Sequence, residues 1–250
     1  MGKKSKQGYT EPTGGIKIKQ IIKPRSKNQE RYWESLQKYT ITIASGPAGT
    51  GKTYLAVGAA LKSLTEGEVN KIIITRPVIE SGEKLGFLPG GLEAKMDPYI
   101  KPIMDSLVEF VGGRSTRQLF ESYTVEVCPL AYMRGRTFKD AFIIADEMSS
   151  SNPEQMKNLL TRLGSGSRMV VIGDATQTDL PIGRQNGLSH LLHLLKKYGE
   201  KPNGFNLVKL DHEDIIRHPL IYTVLDLYGE IHGSFYPEIA PVESRISTKK

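Results

Sequence analysis

The chain has 250 residues, 38% of them hydrophobic and 24% charged, the proportions of an ordinary globular protein. Its one cysteine, Cys128, excludes a disulfide framework and any multi-cysteine metal or redox centre, and fits a reducing compartment. No apolar run approaches the ~18 residues of a membrane span, so a soluble, cytoplasmic protein without a membrane partner is expected. The net charge of +7 is unevenly placed: residues 1–27 hold eight Lys or Arg against Glu11 alone, and the remainder balances. That basic stretch carries Gly and Pro and little apolar pattern, so a mobile N-terminal tail over 1–27 is expected. It serves either as an electrostatic arm for nucleic acid or as a solubilising leader. MGKKSKQGYT has no apolar segment behind its charges, which argues against a secretory signal, and Lys6 breaks the myristoylation pattern.

From Asn28 onward, short β-branched runs alternate with helix-length segments. Strands are expected over Thr40–Ala44, Lys71–Thr75, Tyr123–Cys128, Ala141–Asp146, Arg168–Gly173 and Asn206–Leu210. Helices are expected over Thr53–Ser63, Pro98–Phe110, Pro153–Leu163 and Gly187–Tyr198, and Ser81–Gly91 reads as an inserted Gly-rich loop. Runs such as IIIT, FIIAD and MVVIG are continuously apolar, as in strands buried on both faces. The pattern predicts one α/β domain over 28–236: a mostly parallel sheet with helices on both faces, followed by a loose polar tail over 237–250.

After the first strand comes GPAGTGKT, residues 46–53, which satisfies G-x-x-x-x-G-K-[ST]. Gly46, Gly49 and Gly51 let the backbone curl around phosphate, with Pro47, Ala48 and Thr50 supplying further main-chain N–H groups or spacing. Lys52 brings a point charge to the β- and γ-phosphates, and the Thr53 hydroxyl can ligate Mg²⁺. The apolar strand before and the amphipathic helix after are the context this motif requires, so a nucleoside triphosphate site is expected here.

Such a site needs a carboxylate at the end of a second buried strand. Phe142-Ile143-Ile144-Ala145-Asp146-Glu147 supplies it: Asp146 for the Mg²⁺ shell, Glu147 to orient or deprotonate the attacking water. The strand at Arg168–Gly173 runs into Asp174-Ala175-Thr176-Gln177, where Gln177 is placed to sense the γ-phosphate. Upstream, Gln29 can pair bidentately with an adenine edge. The Asp-Glu pair and the lack of an N-K-x-D sequence favour ATP over GTP.

The order Gln29, GPAGTGKT, ADE, GDATQ resembles the superfamily 1 helicases. TRPVIESGEKLGFLPGG (75–91) and CPLAYMRGRTF (128–138) resemble, more narrowly, the PhoH-like family of phosphate-starvation-inducible ATPases. The resemblance runs from Asn28 to Tyr228 and implies a RecA-like core, ATP and Mg²⁺ binding, and an association with RNA metabolism. Only one RecA-like domain fits in the chain, so the resemblance further implies a homo-oligomer, a hexameric ring by preference, whose neighbouring subunits complete each site. Arg217, in DIIRHP, is then the candidate arginine finger. One departure is visible: the family pattern continues D-E-A-Q-N, whereas this chain has Met148-Ser149-Ser150.

By the same resemblance, Thr75 and Arg76 end a strand where such enzymes grip a nucleic-acid backbone. Arg134 and Arg136 flank Gly135 and offer guanidinium forks for phosphate or for a subunit interface. Tyr132 and Phe87 are candidates to stack on bases. His190, His193 and Cys128 read as structural. The leading expectation is an ATP-driven helicase or translocase on RNA or single-stranded DNA. The alternative is a nucleotide-gated adaptor that orders the Ser81–Gly91 loop and docks a partner such as a ribonuclease.

Overall fold

The computed structural model describes residues 16–77, 92–175 (92–99 as backbone), 185–198 and 202–215, with Leu220, Val224 and Leu227. Six parallel strands form one sheet: β1 (Ile41–Ser45), β2 (Lys71–Thr75), β3 (Val125–Val127), β4 (Ala141–Ala145), β5 (Arg168–Gly173) and β6 (Phe205–Lys209). Their order is β3-β2-β4-β5-β1-β6, so the strand leading to GPAGTGKT and the strand leading to Asp146 are separated by β5. Every residue of β1 and β4 is buried. The reason lies in the pleat, which sends alternate side chains to opposite faces. Ile72, Ile74, Phe142 and Ile144 enter one apolar cluster, while Ile73, Ile143 and Ala145 enter the other.

On the first face lie α1 (Lys27–Lys38), α2 (Lys52–Thr65), α3 (Leu92–Val111) and α4 (Gly113–Glu121). The second face is covered by α5 (Pro153–Leu160) and α6 (Gly187–Tyr198). This is the doubly covered RecA-like arrangement the residues imply. Among the described residues, no helix is long and apolar enough to cross a membrane.

Local chemistry sets the boundaries. Tyr123 adopts φ 55°, a turn conformation, so β3 starts only at Val125 and is shorter than the sequence predicts. Asn152 and Gln155 form a reciprocal cap with Pro153 in the first turn, which starts α5; the helix stops at Leu160 because Phe138 and Leu163 are bridged. Helix α3 begins six residues before Pro98 and runs through it. Helices α1 and α4 are absent from the sequence-level expectation. Ser26 caps α1 by accepting the Gln29 N–H at 3.1 Å, but only Tyr32 and Leu36 give it a deeply buried apolar seam.

Residues 16–26 of the basic N-terminal stretch are packed where a mobile tail is expected, while residues 1–15 lie outside the described residues. Ile16, Ile18 and Ile22 pack against the first core cluster, and the Lys19 N–H donates to the Phe110 carbonyl at 2.7 Å. Ile22 occupies the space above Gly58 of α2, where a Cβ would approach its Cδ1 to 2.9 Å. Three isoleucines at short spacing are enough to lay residues 16–26 on the helices. Ile22→Ala is therefore expected to lower unfolding free energy by about 1–2 kcal/mol in urea titrations. A purely solubilising leader predicts no change.

Candidate functional site

Because all six strands run in one direction, their C-terminal ends meet at one edge of the sheet, where open α/β folds bind ligands. There β1 passes into residues 46–53, which turn directly into α2. Gly46 donates its N–H to the Gly173 carbonyl at 3.2 Å, and a Cβ on it would fall on the Leu210 carbonyl oxygen. Gly51 sits at φ 77° and ψ 14° at the mouth of α2, a conformation glycine adopts without strain. The result is a cleft of about 290 Å³. It is lined by Gly46, Ala48, Gly49, Gly51, Lys52 and Thr53 together with Asp146, Glu147 and Asp174. Pro47 and Thr50 act within the loop, the Thr50 hydroxyl donating to the Pro47 carbonyl at 2.9 Å.

Lys52 is nearly buried, and its ammonium donates to the carbonyls of Gly46 and Pro47, each at 2.6 Å, and to the Thr50 hydroxyl at 3.2 Å. Burial lowers its pKa, while the carboxylates of Asp174, Asp146 and Glu147 act against that shift and favour the charged form. The cation is thus held at the centre of the loop by the loop's own oxygens. Tyr32 braces it from below, its buried hydroxyl donating to the Lys52 carbonyl at 3.1 Å.

Asp146 is 4% exposed and accepts a hydrogen bond from the Thr53 hydroxyl at 3.1 Å. Burial raises its pKa; Arg76 opposes this, Glu147 adds to it, and the Thr53 bond opposes it. A hydroxyl and a carboxylate on one wall of a phosphate-sized cleft are hard oxygen donors suited to Mg²⁺, and a divalent cation would relieve the burial of Asp146. Glu147, half exposed, stands next in the chain at φ 53° and pairs with Arg76, Nη2 to Oε1, at 2.9 Å. Its successors Met148, Ser149 and Ser150 are all buried in a short 3₁₀ turn, so the departure from D-E-A-Q-N is packed into the fold.

Other expected residues sit differently. Gln29 is 2% exposed and its amide is already committed. Its oxygen accepts the Arg25 N–H at 2.7 Å, and its nitrogen donates to the carbonyls of Thr50 at 3.1 Å and Asp214 at 3.4 Å. In this structure it ties the phosphate loop to the segment after β6, in place of presenting an edge to adenine. Thr75 is fully buried, which removes it as a surface grip for a strand. Arg76 faces the carboxylates of the site. Arg136 pairs with Glu126 at 2.6 Å, with the Cys128 sulfur at 3.2 Å and with the Phe138 ring, yet stays exposed, as Arg134 and Tyr132 do. The two guanidinium forks are therefore unequal: Arg136 already holds a carboxylate, as Arg76 does. Gln177, Arg217, Phe87 and the Ser81–Gly91 loop lie outside the described residues.

Sequence reasoning missed three contributors. Asp174 faces the cleft and was legible in GDATQ itself. Tyr32 and Asp214 gave no sequence signal. Asp214 is 2% exposed and receives the Ser26 hydroxyl and, at 3.0 Å, the Asn28 amide, which fastens the start of α1 to the same segment.

The Asp146 shift has a stability consequence. With its folded pKa raised above the unfolded value, its contribution favours folding below the ordinary carboxyl range near ~3.9 and is lost as pH rises through the folded value. At pH 7, in EDTA and without nucleotide, Asp146→Asn is expected to raise Tm by ~2–4 °C for each ~1 kcal/mol of burial relieved. The gap from the parent protein should close as pH falls toward ~4; a gap independent of pH excludes this origin.

A family model described as PhoH-like protein matches residues 21–229. Among curated relatives, a PhoH-like protein of Bacillus subtilis is 44% identical over 209 residues, covering 84% of this chain and 64% of its own. One from Synechocystis is 42% identical over 222 residues, covering 89% and 66%. The chain thus spans just under two thirds of the length of either relative. Of solved structures, the SWI2/SNF2 ATPase core of Sulfolobus solfataricus in complex with double-stranded DNA aligns at TM-score 0.43 and 13% identity, covering 80% of this chain and 46% of that one. The extent of the family match settles the lineage: this chain belongs to the PhoH-like family of P-loop NTPases.

Proposed function

We propose that the chain binds ATP with Mg²⁺ in the cleft and hydrolyses it, and that a homo-oligomer of such chains, hexameric by preference, couples the cycle to moving or remodelling single-stranded RNA or DNA. One observation carries the first part. The Thr53 hydroxyl meets the Asp146 carboxylate beside the buried Lys52, which brings phosphate cradle and metal-binding oxygens to one wall.

The roles follow from position. Main-chain N–H groups of residues 48–53, at the start of α2, receive the polyphosphate, and Lys52 exchanges its carbonyl partners for phosphate oxygens. Thr53 and Asp146 would hold Mg²⁺, which when bound draws charge from the β- and γ-phosphate oxygens. Glu147 accepts the proton of the water whose oxygen bonds to the γ-phosphorus as ADP leaves. Gln177 reports the γ-phosphate, and Arg217 of a neighbouring chain offsets the charge that develops. The strand reading draws on the exposed Arg134 and Tyr132, in the crossover that follows β3, and on the basic N-terminal stretch.

Steady-state ATP hydrolysis, with and without single-stranded RNA and DNA, tests both parts. Lys52→Ala and Glu147→Gln are each expected to lower kcat by about 10²-fold or more, Glu147→Gln with ATP affinity retained. Stimulation by one strand type supports a motor; hydrolysis indifferent to both strands moves the reading to a nucleotide-gated adaptor. Mixing Lys52→Ala with Arg217→Ala subunits should recover activity that neither has alone, and no recovery at any ratio counts against a site shared between chains.

A further inference from the structure

The carboxylate that the proposed reaction requires as a base is held, in this structure, by an arginine. The sheet order places β2 next to β4 on the edge away from β5 and β1. Arg76 follows β2 and Glu147 follows β4. Thr75 is in register with Ala145, and the Asp146 N–H donates to the Thr75 carbonyl at 3.0 Å, so the two chain ends leave the sheet side by side. The Arg76–Glu147 ion pair at 2.9 Å therefore engages, from the β2 side, a carboxylate that lines the cleft together with Lys52 and Thr53.

Two features mark this junction as having a second arrangement. Glu147 is a non-glycine residue at φ 53°, ψ 37°, a sparsely populated conformation that folds keep mainly at working sites. Beside it, the Thr75 hydroxyl is the buried side-chain polar atom without a hydrogen-bond partner among the described residues. Buried hydroxyls are seldom left unsatisfied, and one placed where two strands end gains a partner if the junction rearranges. The Arg76 side chain is 18% exposed and Glu147 51%, so an anion arriving from solvent reaches the guanidinium without unfolding anything.

We propose that Arg76 is a positioning residue that holds the Glu147 carboxylate at the β2 side of the cleft, and that a backbone phosphate of a bound single strand takes the guanidinium and frees the carboxylate for the attacking water. A phosphodiester oxygen pair fits a guanidinium fork as well as a carboxylate does, so exchange of one partner for the other needs no new chemistry. The second half of this statement rests on the strand reading above; the restraint of Glu147 does not.

The test is hydrolysis by the full chain without nucleic acid, at saturating ATP, for Arg76→Gln, Arg76→Met and Arg76→Lys. A partly exposed ion pair shifts an equilibrium by up to about five-fold. The Gln and Met variants are therefore expected to raise kcat about two- to five-fold with KM for ATP unchanged, and to lose further stimulation by an oligouridylate. Met keeps the half-buried stem and separates loss of charge from loss of packing. Lys keeps the charge but not the fork and should fall between the parent and the Gln variant. Unchanged or lower kcat in both Gln and Met variants overturns the clasp. Anisotropy of a labelled oligonucleotide separates the two readings. If the parent protein binds no strand while Arg76→Gln still turns over faster, the clasp stands and the strand reading falls. If strand stimulates the parent and removing the arginine raises nothing, the strand reading stands and the clasp falls.

Discussion

The strands of this sheet all point one way, and that single constraint positions everything else. A parallel strand cannot return through a hairpin, so each is followed by a crossover that covers a face. Every strand then delivers its last residue to the same rim. Ser45, Thr75, Ala145, Gly173 and Lys209 end neighbouring strands, and the residues that immediately follow them build the cleft or its walls. The two buried faces supply the rigidity. Burial of Ile43, Ile73, Ile143 and Val171 on one side and of Ala44, Ile74, Ile144 and Ile172 on the other leaves the strands no alternative register, because a slip by one residue would exchange the two sets.

On that rim the molecule accumulates charge where the fold would prefer none. Lys52 and Asp146 are both almost out of solvent, and burial shifts each toward its neutral form. They are tolerated because opposite charges stand near: Asp174, Asp146 and Glu147 around the lysine, Arg76 beside the aspartate. The arrangement is a standing imbalance that a polyphosphate with its cation would relieve, and ligand binding of this kind stabilises the folded state by mass action. Activity and stability are thus set by the same few side chains, pulling in opposite directions.

How much of this the residues announce depends on the range of the interaction. The phosphate loop, Asp146 and Glu147 are legible because the chemistry needs fixed residue types at fixed spacing after apolar runs, and the six strands because double burial writes itself as uninterrupted Ile, Val and Ala. Helix α1 was not legible: its stability comes from Tyr32 and Leu36 meeting α2, which local pattern does not encode. The same holds for residues 16–26, whose isoleucines find partners on α2 and α3. Gln29 and Arg136 fail differently. Their types invite a ligand, but backbone carbonyls from residues 50 and 214 and a carboxylate on β3 reach them first. No spacing rule foresees a competitor from elsewhere in the chain.

The grip of the loop on its own lysine bears on selectivity. Three oxygens already satisfy the Lys52 ammonium, so an entering anion gains only the difference between its bonds and those it displaces. A single phosphate replaces them at little advantage. A chain of phosphates that also engages the helix start and the oxygens of Thr53 and Asp146 replaces them with a surplus. A loop built this way would act as a threshold, answering to the number of linked anionic groups that a ligand carries and not to any single one of them.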